Sequence, residues 1–171
     1  GKRHIAPAEA FPFEYSASGG NPDREAIETL FSECAQRSTP FCLFACLNEP
    51  HSPWNKGDAT RYVPSALKLP PYFVDTEETR NAYSKYLAEV THFDGQVGEI
   101  LALLDQHHLR ENTLVIVVTE QGASFPFGKW TLYDTGIQSA CIARWPSVIK
   151  AGTVSDAMIE YVDMLPTFIE A

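Results

Sequence analysis

The 171-residue sequence lacks the features that would assign it to several protein classes. No uninterrupted apolar run approaches the roughly 20 residues of a membrane span. The cysteines show no Cys-x-x-Cys spacing, so neither a zinc site nor a disulfide framework is favoured. We expect buried free thiols at Cys34, Cys42, Cys46 and Cys141. Basic residues are in deficit, with a net charge of −9, which argues against nucleic acid and anionic membranes as partners.

The composition is that of a globular domain. Hydrophobic residues make up 44% of the chain and charged residues 20%, enough apolar material for one core. Neither an initiator methionine nor a secretory signal opens the sequence at Gly1, which predicts a processed or partial chain. We therefore treat residues 1–171 as part of a single domain.

Predicted helices alternate with predicted buried strands along the chain. Apolar residues at helical spacing, together with capping residues and prolines, predict helices over 21–39, 76–107 and 156–170. Short apolar runs predict strands at 41–47, 112–118 and 138–145. This order is typical of the α/β class, with a largely parallel sheet flanked by helices.

The segment 119–133 has the character of a functional site. It follows the predicted strand 112–118 and supplies a carboxylate (Glu120), a side-chain carbonyl (Gln121) and a cation (Lys129) within a loop rich in glycine. Parallel α/β sheets bind ligands at the carboxyl ends of their strands. Glu120 and Gln121 offer hard oxygen ligands of the kind that calcium takes.

Four cationic candidates lie in loops or past strand ends: Lys2, His4, His51 and Lys129. Taken singly, each could be a solvated charge or an ordinary loop residue. Together they suit a tetrahedral oxyanion whose charge must be stabilised in a transition state. The dipeptide His107-His108 is interpreted differently, as the end of the long helix, where cationic side chains favour the dipole.

The loop 52–75 offers candidate contacts to a sugar. Its Trp54, Arg61, Tyr72 and Phe73 could bind a carbohydrate ring, although aromatics in a proline-rich loop serve packing as often.

These residues resemble the sulfatases of the alkaline-phosphatase-like superfamily. Gly1-Lys-Arg-His4 is similar to the family's Gly-Lys-x-His segment, and Glu49-Pro-His51 resembles the loop whose histidine contacts sulfate. The run 113–122 is similar to the strand that ends in the family's metal-binding pair, and Lys129 with Thr131-Leu-Tyr133 resembles its active-site lysine segment. The proline-rich start and Phe125-Pro-Phe-Gly-Lys129 are most similar to the heparan N-sulfatase (N-sulfoglucosamine) group.

The resemblance implies a role for each candidate. Lys2 and Lys129 would bind sulfate oxygens, His4 would assist turnover of the sulfated nucleophile, and His51 would bind sulfate or protonate the leaving group. Glu120 and Gln121 would be ligands of one divalent ion, Ca²⁺. The expected substrate is a sulfated carbohydrate of the N-sulfoglucosamine type, and the expected location is periplasmic, extracellular or lysosomal.

The sequence also departs from the family. Glu120-Gln121 stands in place of Asp-Asn, so each ligand is one methylene longer. The family's formylglycine nucleophile arises in a Cys/Ser-x-Pro-x-Arg motif, which is missing here: Ser38-Thr-Pro-Phe-Cys42 has cysteine where arginine is required. The adjacent Asp-Asp pair of the metal site is missing as well. The expectation is the C-terminal half of a catalytic domain, inactive alone, with the formylglycine upstream and the rest of that domain as partner.

Two alternatives remain open at this point. A phosphodiesterase or phosphonate hydrolase of the same superfamily would use the same tetrahedral geometry. A non-catalytic module that binds sulfated glycans would account for the altered Glu120-Gln121 pair.

Overall fold

The computed structural model describes residues 6–7, 9–15 and 19–171. Its α-helices are α1 (Arg24–Arg37), α2 (Glu77–Gln106), α3 (Asp134–Ile137) and α4 (Met164–Glu170), and its strands are β1 (Val115–Val118) and β2 (Cys141–Arg144). Short 3₁₀ turns cover Ala59–Arg61, Pro64–Ala66, Arg110–Asn112 and Tyr161–Asp163. None of the helices in this part of the chain is both long and apolar enough to cross a membrane.

The two long helices confirm the sequence prediction because their ends carry strong capping signals. The Asp23 carboxylate accepts hydrogen bonds from the backbone N–H groups of Glu25 and Ala26, at 3.0 and 3.3 Å, and so starts α1. Thr76 caps α2 through its hydroxyl, which accepts from the N–H of Thr79. His107 is the C-terminal cap of α2, so the histidine pair lies at the predicted helix end, and its favourable interaction with the dipole stays a prediction.

The core lies between α1 and the C-terminal half of α2. Ile27 and Phe31 of α1 pack against Leu103 and Leu104 of α2, and each of these four side chains is at most 3% exposed. Partly buried side chains surround this cluster: Leu30, Phe41, Leu43, Ile100, Leu101, Leu109 and Val115. The contact with Val115 fixes the start of β1 against the helices, and β1 leads directly into the segment 119–133.

The prediction of a largely parallel sheet is wrong for the described residues. β1 and β2 form a two-stranded antiparallel sheet in which Val115 lies opposite Arg144 and Val118 opposite Cys141. An apolar run does not determine the direction in which its strand pairs, and the connection 119–140 is long enough for either direction. The backbone N–H of Thr119 donates to the carbonyl of Ala140, which continues the antiparallel pairing beyond the ends of the strands.

Three other predicted elements differ from the structure. The run 41–47 belongs to no ladder among the described residues, although its first residues alternate as in a strand: Phe41 and Leu43 pack against the core while Cys42 and Phe44 are exposed. The third strand shortens to Cys141–Arg144. The last helix begins at Met164 instead of Asp156, and a 3₁₀ turn over Tyr161–Asp163 precedes it.

The cysteine prediction is wrong for two of the four residues. All four are free thiols, and Cys34 is buried while Cys46 is half-buried. Cys42 and Cys141 are exposed, because Cys42 points away from the core between Phe41 and Leu43, and the first three residues of β2 face outward.

Candidate functional site

Lys129 and His51 meet, although they lie 78 positions apart in the sequence: Lys129 Nζ is 3.2 Å from His51 Nε2. The other ring nitrogen of His51, Nδ1, donates to the carbonyl of Ser52 at 2.6 Å. A proton on Nδ1 leaves Nε2 as an acceptor, to which Lys129 Nζ can donate. The imidazole is exposed and Lys129 is half-buried, so an incoming ligand can reach both groups.

A compact turn holds Lys129 in place. The backbone N–H groups of Phe125 and Lys129 both donate to the carbonyl of Ala123, at 2.8 and 2.9 Å. A Cβ on Gly128 would lie 2.1 Å from that same oxygen, so no larger residue fits. Trp130, directly after the lysine, has a φ of 70°, which is costly for a residue with a side chain. The local backbone thus fixes the direction in which Lys129 leaves the loop.

The two ends of this loop also touch. A Cβ on Gly122 would lie only 1.6 Å from the carbonyl oxygen of Thr135, which allows no side chain at that position. The Thr135 hydroxyl donates to the carbonyl of Phe127 at 2.5 Å, and the Thr131 hydroxyl donates to the same carbonyl at 2.8 Å. The loop therefore forms a closed unit, and a displacement of one end moves Lys129.

An aromatic cluster joins the two loops of the site. The Phe125 ring stacks on Trp54, with centroids 4.6 Å apart and planes at 13°, and also contacts Phe73, Tyr83 and Tyr86. Burial, and after it the neighbouring phenols of Tyr83 and Tyr72, raises the pKa of Tyr86.

Of the four candidate sugar contacts, Trp54 and Phe73 pack on Phe125 within this cluster. Tyr72 is 40% exposed and touches Phe73 and Phe127 at the cluster's edge. Arg61 is exposed.

The proposed metal ligands lie at the start of the same loop. Glu120 is exposed and Gln121 is half-buried, two and three residues past β1. No group of three or more histidine, cysteine, aspartate or glutamate side chains in the described ranges could hold a metal ion. The pair has the right donor chemistry for calcium but supplies only two of the six to eight oxygens that the ion takes.

Lys2 and His4 lie outside the residues that the structure describes. The site also contains two acidic residues that sequence reasoning missed. Glu49 is 6% exposed and Glu89 is 1% exposed. Glu49 belongs to the Glu49-Pro-His51 motif, which could have indicated it, but it was assigned no role. Glu89 offers no such signal, because it does not lie on the apolar face that predicts α2.

Comparison with known proteins finds sulfatases among the proteins that this chain resembles. An "ulvan-active sulfatase" of Formosa agariphila is 30% identical, and human N-sulphoglucosamine sulphohydrolase is 25% identical; each alignment covers 99% of this chain but 34% and 40% of those proteins. A solved candidate sulfatase from Bacteroides fragilis superposes with a TM-score of 0.73 and 26% identity, over 86% of this chain and 35% of that one. The chain thus spans about a third of the length of these relatives.

The superposition shows that the chain has part of the fold of a sulfatase, which is alkaline-phosphatase-like. A second solved structure, of Ps i-CgsB in complex with k-i-k-neocarrahexaose, shares this fold with a TM-score of 0.60 at 18% identity. The family model named Sulfatase matches residues 7–171, nearly the whole chain. The chain belongs to the sulfatase family.

Proposed function

We propose that this chain is part of an enzyme that hydrolyses sulfate esters or sulfamates of sugars, and that His51 and Lys129 contact the sulfuryl group. The observation that carries the proposal is the 3.2 Å separation of Lys129 Nζ and His51 Nε2, two groups brought together from distant loops. A chain with a net charge of −9 repels anions at long range, so it needs a local cationic site of this kind to bind one.

Each group has a distinct task in the proposed reaction. The Lys129 ammonium stabilises the charge that builds on the sulfuryl oxygens, as preorganised cations do in acyl and phosphoryl transfer. His51, when protonated, gives a proton to the departing oxygen or nitrogen of the sugar. One water is consumed overall: its oxygen joins the sulfur and its protons are shared between the released sugar and sulfate. Lys2 and His4 are proposed to complete this anion site.

The nucleophile of the family is a hydrated formylglycine, one hydroxyl of which would attack sulfur, and the water that hydrates the aldehyde would supply the oxygen counted above. We place it outside residues 1–171 and assign this chain to the C-terminal part of a single catalytic domain. The remainder of that domain is then the chain's partner. Support comes from the relatives, whose length is about three times the stretch that aligns with this chain.

Glu120 and Gln121 are proposed as two oxygen ligands of a calcium ion. Their position at the end of β1, on the loop that carries Lys129, supports the assignment. A bound cation there would add positive charge beside the sulfuryl group.

Calcium binding to the full-length polypeptide, measured by isothermal titration calorimetry, tests this assignment. We expect Glu120→Ala to weaken binding at least about tenfold, because a charged ligand is lost. Glu111→Ala, which removes an exposed carboxylate before β1, should have no effect. An equal affinity in the wild type and Glu120→Ala would contradict the assignment.

For the substrate we propose a sulfated sugar, with N-sulfoglucosamine as the first candidate. The human relative named for that sugar supports it. Ulvan-active and N-acetylgalactosamine-6-sulfatase relatives align about as well, so O-sulfated sugars belong in the same assay.

Sulfate release by the full-length polypeptide tests the function directly. We expect Lys129→Ala to lower kcat/KM at least about 100-fold, the cost of removing one oxyanion-stabilising group. Lys68→Ala, an exposed lysine elsewhere in the chain, serves as the control and should leave the rate unchanged. Full activity in Lys129→Ala would contradict the proposed role.

Two other results would identify a different function. Phosphate-ester cleavage without sulfate release would indicate a phosphodiesterase. Binding of sulfated sugars without turnover would indicate a glycan-binding module.

A further inference from the structure

His51 lies in a loop without regular secondary structure, yet its backbone is tied down on both sides. On the N-terminal side, the N–H of Asn48 donates to Asn21 Oδ1 at 2.7 Å, and Asn21 Nδ2 donates to the buried carboxylate of Glu49 at 2.8 Å. This network joins the histidine loop to the segment that precedes α1.

On the C-terminal side the anchor is a single side chain, Glu89 of α2. Its Oε1 accepts hydrogen bonds from the backbone N–H groups of Asn55 and Lys56, at 2.7 and 3.0 Å. The side chain is 1% exposed, and its second oxygen has no hydrogen-bond partner among the described residues. Because burial of a carboxylate is costly, a glutamate kept here needs a reason other than packing.

The close approach of the loop to α2 is visible at Gly57 as well. This residue has a φ of 72°, and a Cβ on it would lie 2.3 Å from the carbonyl oxygen of Ala88. The loop therefore rests directly on the helix backbone, one residue before the glutamate that holds it.

The anchored stretch leads to both halves of the site. Trp54, next to Asn55, donates through Nε1 to the carbonyl of Pro50 at 3.2 Å, and Pro50 precedes His51. The same indole stacks on Phe125, which lies in the turn that presents Lys129. A continuous set of contacts thus runs from Glu89 through Trp54 to the two groups that meet at 3.2 Å.

We propose that Glu89 is a positioning residue that sets the place of His51 relative to Lys129. The expected effect of Glu89 on activity rests on the proposed function. Its effect on the position of His51 does not. The two hydrogen bonds that Glu89 Oε1 accepts fix the position of residues 55–56 on α2. Trp54, the adjacent residue, contacts both the His51 loop and the Lys129 loop and so links their positions to that anchor.

Ser84 provides a matched control on the same helix. It is 4% exposed, and its hydroxyl donates to the carbonyls of Ala59 and Tyr62, so it also ties the following loop to α2. It holds a stretch that contains neither His51 nor Trp54. Ser84→Ala therefore reports the general loss of stability that a buried polar contact to α2 causes, without the effect on the site.

The first test follows the histidine itself. In two-dimensional NMR spectra of the full-length polypeptide, with the His51 ring signals assigned through His51→Ala, we expect Glu89→Ala, which removes the accepting oxygen, to shift those signals and Ser84→Ala to leave them in place. His51 signals that do not move in Glu89→Ala, or that move equally in Ser84→Ala, would overturn the proposal.

The second test uses activity of the full-length polypeptide, at a temperature at which both variants stay folded. We expect Glu89→Ala to lower kcat roughly 10- to 100-fold, the range that a small misplacement costs, and Ser84→Ala to keep it. In the Lys129→Ala background, Glu89→Ala should cause a smaller fold-loss than in the wild type, because the part of its effect that acts through the His51–Lys129 pair is already absent.

The two tests separate this proposal from the proposed function. A wild-type rate in Lys129→Ala refutes the function, whereas the NMR shifts still decide the positioning. Loss of activity in Lys129→Ala together with a wild-type kcat in Glu89→Ala refutes the positioning alone.

Discussion

Tyr86 shows how the aromatic cluster beneath the site responds to pH. Its ring lies 5.5 Å from Phe125 and 5.7 Å from Trp54, measured between centroids. Burial among these rings disfavours the charged phenolate and raises the pKa of the Tyr86 phenol above its ordinary value of 10.0. The folded chain therefore holds this proton more tightly than the unfolded chain.

This shift predicts a loss of stability at alkaline pH. A raised pKa in the folded state contributes stability that is complete below the unfolded pKa of about 10 and is lost as the pH rises through the folded pKa. We expect the urea midpoint of the wild type to fall above about pH 10 and that of Tyr86→Phe to fall less. Tyr133→Phe, at a tyrosine that is 59% exposed, is the control. Identical pH profiles for the wild type and Tyr86→Phe would contradict the assignment.

At the level of single residues, the sequence indicated His51 and Lys129, which lie in contact, but not Glu89, which anchors the loop of His51. His51 and Lys129 were recognisable because each is a charged or ionisable residue in a loop that follows an apolar run. Their catalytic roles stay predictions. Glu89 was not recognisable, because on a helix an acidic residue off the apolar face is normally a solvated charge. Its burial depends on a loop more than 30 positions away, at Asn55 and Lys56.

Among the elements, the helices were predicted far better than the strands. α1 and α2 begin and end within a few residues of the predicted bounds, because side-chain caps such as Asp23 and Thr76 act locally. A strand has no comparable local signal, since an apolar run does not state which segment it pairs with or in which direction. The run 41–47 and the pairing of β1 with β2 were misjudged for that reason.

The long helix α2 serves two different parts of the molecule. Its C-terminal half places Leu103 and Leu104 in the core, and its N-terminal half turns Ser84 and Glu89 toward the loop 54–66. An amphipathic pattern predicts the first function, because the partner there is another apolar face. It does not predict the second, in which the partner is polar backbone. The site thus depends on the N-terminal half of α2, whose contacts with the loop 54–66 cannot be predicted from the amphipathic pattern.

Apolar side chains are buried unevenly over the described part of the molecule. Large apolar side chains are most exposed in residues 130–171, where Trp130, Leu132, Val154 and Met158 are 89 to 93% exposed. The core between α1 and α2, by contrast, is closed. A large exposed apolar surface marks a site of contact with other protein or a tendency to aggregate.

This distribution predicts that the 171-residue chain binds the dye ANS and self-associates as its concentration rises. We expect the double variant Leu132→Ser, Met158→Ser to lower ANS fluorescence and to delay self-association in sedimentation velocity. Val63→Ser, at a side chain that is 55% exposed in the loop before α2, should change neither. The full-length polypeptide should bind ANS weakly if the remainder of a sulfatase domain covers residues 130–171, as the proposed domain assignment requires. Strong ANS binding by the full-length polypeptide would contradict that assignment, and weak binding by the 171-residue chain would contradict the exposure itself.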